Sequence, residues 1–294
     1  MIRIALIALV LVAAAAGPVI AQAKPAHAAK PGAPRPRNVA TKPAAGKAAA
    51  APAKPSGPPS VDSLAAITRR GHALMERDSI ACLGGDAMAA LSFPSDGVRR
   101  LVTRQTRQGW EVAVGTLSED GRAFLISRVA TPGIQKGLWA SSEYESPESD
   151  SGYFADAARA IETSLAMFRP AAHRPYVAMA IPTDDGPWWV YVYPAATQEG
   201  VYPRGGDMRF RVSSDGRVIT ESRRLHESIT EFSVRTARSA SSQPENESLV
   251  SGDTPEDTDV FHVLQRRPAL PELMRAGRYL YRIDVDGSIR LLPN

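Results

Sequence analysis

The sequence predicts an α+β fold, with mainly antiparallel sheets of hairpins packed against a few amphipathic helices, behind a signal peptide and a disordered Lys/Pro/Ala-rich tract. Three observations carry this. Apolar residues recur three and four apart in two stretches, as on one face of a helix. Elsewhere, strand-like runs with period-two alternation flank Asp-Gly pairs, the turn chemistry of hairpins. Residues 1–60 share neither pattern.

That leading segment starts with Arg3, continues as an apolar run from Ile4 to Ala16, and breaks at Gly17-Pro18 before small residues at Ala21 and Ala23. The pattern is that of a secretory signal peptide over 1–21, with cleavage after 21 or 23. Its apolar run of 13 residues is shorter than the roughly 20 a helix needs to span a bilayer, so no stable transmembrane span is expected there. Residues 22–60 hold 13 Ala, 9 Pro, five Lys and two Arg, with no acidic residue. Such a segment buries too little apolar surface to offset its ordering entropy, and its like charges repel, so it reads as a disordered basic linker.

The overall pI of about 9.3 suggests a nucleic-acid binder until the charge is divided along the chain. The whole sequence carries +4; a leader at +1 and a tract at +7 leave residues 61–294 at −4. A mildly acidic folded part lacks the footprint of a nucleic-acid-binding domain, so no nucleic-acid partner is expected. An anionic envelope polymer or lipid surface is the partner expected for residues 22–60. Cys82 is the single cysteine, so no internal disulfide is available and burial must supply the stability. Its apolar setting marks it as structural.

Within 61–294, taken as one globular α+β domain with a sub-boundary near 141–151, Ser60 caps a helix over 61–77 whose face carries Val61, Leu64, Ile67, Gly71 and Leu74. Gly84-Gly85 are expected to break the chain before a short helix over 86–91. Strands follow at 101–106, 110–117 and 122–129, then a Ser/Glu-rich polar loop over 141–151 and an amphipathic helix over 153–168. A second strand block pairs 176–181 with 188–193 and 207–212 with 217–223. In its third strand Met208, Phe210 and Val212 share one face and Arg209 and Arg211 the other, the pattern of a sheet buried on one side. Residues 238–258 read as a mobile surface loop, and strands at 260–264, 279–284 and 288–292 end the fold.

Trp189, Tyr191 and Tyr193 alternate onto one strand face and are the candidate ligand-binding residues. Exposed, such rings stack on sugars or accept a peptide; buried, they are core with their hydroxyls hydrogen-bonded. His226-Glu227 lacks the second histidine one turn on that a zinc helix requires, since position 230 is Thr. No metal site and no cofactor are expected, although His226 and His262 can still converge with an acid such as Glu227 or Asp259 through folding. Asp253, Glu256, Asp257 and Asp259 read as a solvated acidic loop. Gly-x-Ser-x-Gly and Ser-x-x-Lys signatures are missing, so no catalytic residue is assigned. The expectation is an exported protein, periplasmic or secreted, that binds or stabilises an envelope component without catalysis. The alternative is an envelope hydrolase around His226, Glu227 and His262.

Overall fold

Helix α1 (Val61–Ala89) has 29 residues, ~44 Å at the rise of an α-helix. Ser60 starts it by accepting the Ser63 amide on its Oγ at 3.1 Å. Leu64, Ile67, Gly71 and Leu74 form its buried face, as their spacing predicts, while Val61 is exposed. The expected break does not occur: the helix runs through Gly84-Gly85 to Ala89. A Cβ on Gly84 would lie 2.5 Å from Val112, so this glycine lets the helix rest directly on a strand.

The computed structural model describes residues 57–89, 99–135, 137–233, 246–247 and 252–293. The expected signal peptide, the tract up to residue 56, the end of the expected short helix and most of the expected mobile loop lie outside these residues. The described part is mixed α+β with mainly antiparallel sheets and few helices.

Strands β1 (Arg100–Thr106), β2 (Gly109–Leu117), β3 (Phe124–Pro132) and β4 (Trp139–Asp150) form an antiparallel sheet in chain order. β4 occupies the segment expected as a polar loop. Its run of Ser and Glu suits an edge strand, where exposed charge discourages pairing with another chain. Helix α2 (Tyr153–Met167) packs between this sheet and the next through Phe154, Ala157, Ala158 and Ile161.

The second sheet has the order β5 (Tyr176–Pro182), β6 (Trp188–Pro194), β8 (Met208–Val212), β9 (Ile219–Arg224), all antiparallel. Strand β7 (Val201–Gly205) instead pairs with β10 (Ile229–Ser233), two strands absent from the sequence expectation. Contrary to the one-sided reading, both faces of the second sheet are covered. Trp188, Val190, Val192, Phe210 and Val212 pack on α2; Met179, Ile181, Tyr191 and Tyr193 pack on Leu74 of α1 and on Phe261. The arginines on the second face mislead because ion pairs allow a guanidinium to be buried.

Phe261 belongs to helix α3 (Asp257–Gln265), which replaces the strand expected at 260–264. Five residues, four of them apolar, do not separate strand from helix by period. The deciding element is a capping box, in which the Glu256 side chain takes the Asp259 amide and the Asp259 carboxylate takes the Glu256 amide. A last sheet joins β11 (Asn246–Glu247), β12 (Glu272–Ala276), β13 (Tyr279–Ile283) and β14 (Ile289–Leu292), with only the β11–β12 pair parallel among described strands. It packs on α1 and α3 through Leu64, Ile67, Val260, Val263, Met274, Tyr281 and Ile283. Helix α1 thus touches all three larger sheets, since Met88 near its other end packs on Val112 and Ala130.

Candidate functional site

The chemistry of the described chain concentrates where β7, the end of β9 and α3 meet. Gly205 and Gly206, both at positive φ, turn β7 into β8; a Cβ on Gly205 would lie 2.2 Å from the Ser228 carbonyl oxygen. The turn sets Arg204 and Asp207 beside one another. The Leu225 amide bonds the Asp207 carbonyl at 3.1 Å, which brings His226 opposite the Asp207 side chain. Asp259 enters from α3, and its two oxygens divide their work. Oδ2 accepts the Glu256 amide at 2.7 Å to cap the helix, while Oδ1 accepts from Arg204 Nε at 2.9 Å and Nη2 at 2.7 Å.

His226 bridges the two acids. Nδ1 donates to Asp207 Oδ1 at 2.6 Å and Nε2 donates to Asp259 Oδ1 at 3.1 Å. A neutral imidazole has one donor, and an ionised carboxylate only accepts, so the geometry selects the imidazolium. Burial alone would depress the histidine, but Asp207 and Asp259 outweigh it and raise its pKa to about 10. Burial likewise opposes charge on Asp259, yet Arg204 and His226 hold it well below the usual carboxylate range. Glu272 takes Arg204 on one oxygen and Arg266 on the other. Arg204, His226 and Arg266 therefore face Asp207, Asp259 and Glu272, all buried, in a cluster of balanced charge.

His262 lies one turn beyond Asp259. Both its ring nitrogens are buried without a hydrogen-bond partner, and the ring meets Phe232 edge-on with centroids 6.1 Å apart. Burial, then Arg266 and Arg204, hold it neutral, well below the ordinary histidine range. The fold does bring His226 and His262 to one cluster around Asp259. Glu227 stays outside it, largely exposed and 3.9 Å from Arg224. A doubly donating imidazolium is not a general base, and Asp207 and Asp259 already hold protein cations. Among the described residues, no three His, Cys, Asp or Glu are grouped to hold a metal ion.

A second ionic knot lies under the aromatic strand. Asp257 accepts from Tyr191 Oη at 2.8 Å, Arg209 Nη1 at 2.5 Å and Arg70 Nη2 at 2.8 Å. Tyr193 Oη donates to Asp78 at 2.7 Å. Two of the three candidate binding residues, Tyr191 and Tyr193, are accordingly buried with engaged hydroxyls, and burial pushes both phenols well above 10. Register decides this, since Val177, Met179 and Ile181 pair with Tyr193, Tyr191 and Trp189 and carry all three onto the α1 side. Only Trp189 is part-exposed, with the guanidiniums of Arg209 and Arg211 each 4.6 Å from its ring centroid. Cys82, part-buried, has its thiol pushed up to about 12 by burial and then by Asp78 and Asp86.

No protein family, curated protein or solved structure matches the chain. The site therefore stands on its geometry.

The acidic segment around 253–259 departs most from its sequence reading. Glu256, Asp257 and Asp259 are buried ligands of arginine and histidine, not a solvated loop. Arg204, Asp207, Arg266 and Glu272 had no sequence signal of their own: Arg204 meets partners 55 and 68 residues away, and the Asp207–His226 and Arg266–Glu272 pairs, 19 and 6 residues apart, follow no helix or strand period. The one legible clue was the spacing of Glu256 and Asp259 as a capping box.

Proposed function

We propose that the chain is an exported, non-enzymatic protein that binds or stabilises an anionic component of the cell envelope. The basic residues 22–60 act as its tether, and the part-exposed Trp189–Arg211 patch of the otherwise covered β5–β6–β8–β9 sheet is its folded contact surface. The observation that carries this reading is charge segregation, with a +7 tract beside a folded part at −4. An anionic partner meets the tether first, by long-range attraction that salt screens. On the folded part, part-exposed Trp189 and the Arg211 guanidinium 4.6 Å from its ring centroid, which is paired with exposed Asp185, are the groups that face the same kind of partner. The buried His226 cluster supports a non-catalytic role, since its ionised groups are all spent on one another.

The test is retention of the mature chain on anionic envelope extract, against a variant with the five Lys and two Arg of 22–60 changed to Gln. The tether reading expects retention to fall on neutralisation and with added salt. Equal, salt-independent retention of both proteins overturns it.

A further inference from the structure

One end of the first sheet presents two exposed apolar residues within five positions of one connection, Ile134 and Leu138. The β3–β4 connection folds as a tight turn, with the Gly133 amide donating to the Leu138 carbonyl at 2.8 Å and the Leu138 amide to the Gln135 carbonyl at 3.1 Å. Gly137 takes a positive φ of 84° to close it. Of its described residues, Ile134 lies fully in solvent and Leu138 is about half exposed. Ile134 buries nothing within the chain and Leu138 only half of itself, so packing inside the chain does not account for an isoleucine at this position.

The surroundings of the tip indicate its partner. In an antiparallel sheet the β1–β2 turn lies at the same end, and a Cβ on Gly109 would approach the Pro132 ring to 3.8 Å. That turn presents exposed Arg107 and Gln108. Trp110, with the Arg77 guanidinium 5.1 Å from its ring centroid, and Trp139, packed against Met88, Val112 and Ala130, stand part-exposed at the base of the two turns. From Gln105 to Trp110 and from Thr131 to Trp139 there is no acidic residue. The opposite end of the same sheet carries exposed Glu119 and Asp120, and the β4 edge carries exposed Glu143, Glu145 and Glu148. The two turns at the tip carry exposed Arg107 and no acidic residue, with Glu111 just behind them paired to Arg104, whereas the opposite turn and the β4 edge carry five exposed acids against Arg122, which is paired with Asp120.

We infer that this tip inserts into the headgroup region of an anionic lipid bilayer. Ile134 and Leu138 enter the acyl boundary, the two tryptophans sit at the interface where such rings concentrate, and Arg107 meets lipid phosphate. The acidic end of the sheet turns away from a negative surface, which fixes the orientation. The inference rests on the proposed tether, since one shallow apolar tip gives marginal membrane affinity and a second, electrostatic attachment makes it durable.

The experiment uses the mature full-length chain and vesicles of phosphatidylcholine with or without phosphatidylglycerol. Binding is compared for the wild type, an Ile134→Ser/Leu138→Ser variant and the variant with a neutralised tract. Both tip positions are exposed, and an unchanged melting temperature confirms that the tip variant folds. An environment-sensitive dye on Ile134→Cys, in a Cys82→Ala background, reports insertion. The expected results are binding to phosphatidylglycerol vesicles, at least tenfold weaker binding for the tip variant, and a blue shift of the dye on binding. Tip-variant binding equal to wild type, or a bound dye without a shift, overturns the insertion. If only the neutralised tract loses binding, the tip inference fails while the tether reading stands. Absence of vesicle binding by any form also overturns insertion, and the envelope-extract assay then judges the tether separately.

Discussion

Replacing His226 with Gln removes the buried cation between Asp207 and Asp259 while nearly preserving volume. The side chain is wholly buried, with each ring nitrogen on a carboxylate oxygen. Two routes give the cost. The rise from 6.5 to about 10 corresponds to roughly 5 kcal/mol at about 1.4 kcal/mol per pKa unit. Removing one partner of a buried ion pair costs about 3–5 kcal/mol by general experience. Both point to a loss of about 3–5 kcal/mol at pH 7, a large share of a domain's stability.

The pH dependence makes the test specific. A group whose folded pKa is raised stabilises the fold fully below its unfolded value, and that stability is lost as pH rises through the folded value. For His226 the window is about pH 6.5 to 10. The Cys82 thiol, raised from 9.0 to about 12, and the Tyr191 and Tyr193 phenols, pushed well above 10, add their own loss of stability only from about pH 9 upward, so the part of the decline between about pH 7 and 9 is the one that reports His226. Urea unfolding followed by tryptophan fluorescence from pH 5 to 10 should show stability declining above about pH 7 in the wild type and a flatter profile in His226→Gln. A variant that loses less than about 1 kcal/mol and keeps the wild-type alkaline decline refutes the imidazolium bridge.

Three further outcomes are expected. Burial raises Glu256 to about 7 despite the opposing pull of Arg223; its ionisation therefore works against the fold, and stability falls as pH rises from about 4.5 through 7. Glu256→Gln should flatten that part of the curve, which the same unfolding series checks. Tyr191→Phe withdraws the phenol proton from buried Asp257 and should cost about 1–3 kcal/mol in chemical denaturation. Gly84→Ala places a methyl 2.5 Å from Val112, and the forced separation of α1 from β2 should cost about 1–3 kcal/mol by thermal unfolding.

The sequence reveals an element when its signal is local and repeated. The face of Leu64, Ile67, Gly71 and Leu74, the stripe of α2 and the hairpins β2–β3, β5–β6, β8–β9 and β13–β14 all carry their period or turn residues within a short window. Elements went unseen where a distant partner overrides the local pattern. Gly84 is punctuation until Val112 lies against it, and the Ser/Glu run of β4 is loop-like until β3 offers a ladder. The candidate site shows the same division. Alternation put Trp189, Tyr191 and Tyr193 on one face, but their burial depends on α1 and α3 covering it. The acidic residues near 257 read as solvated because Arg70, Arg204, Arg209 and His226, their neutralising partners, come from three distant segments.

That long reach also gives the ionic clusters a physical role. With Cys82 as its only cysteine, the chain cannot close long loops covalently. The ion pairs close them instead: Asp257 joins Arg70 of α1 to Arg209 of β8, Asp259 joins Arg204 of β7 to His226 beyond β9, and Glu272 of β12 joins Arg204 to Arg266. Unlike apolar contacts, these pairs penalise misplacement, because a buried charge that misses its partner loses several kcal/mol. They therefore favour one arrangement of β7, α3 and β12 over looser packings of similar hydrophobicity. If so, charge-swapping a pair should recover more stability than either single replacement leaves. A double-mutant cycle on Arg204 and Glu272 should then return a coupling above about 1 kcal/mol. Additive losses would mean that each charge is merely tolerated, and that the apolar core alone determines the arrangement.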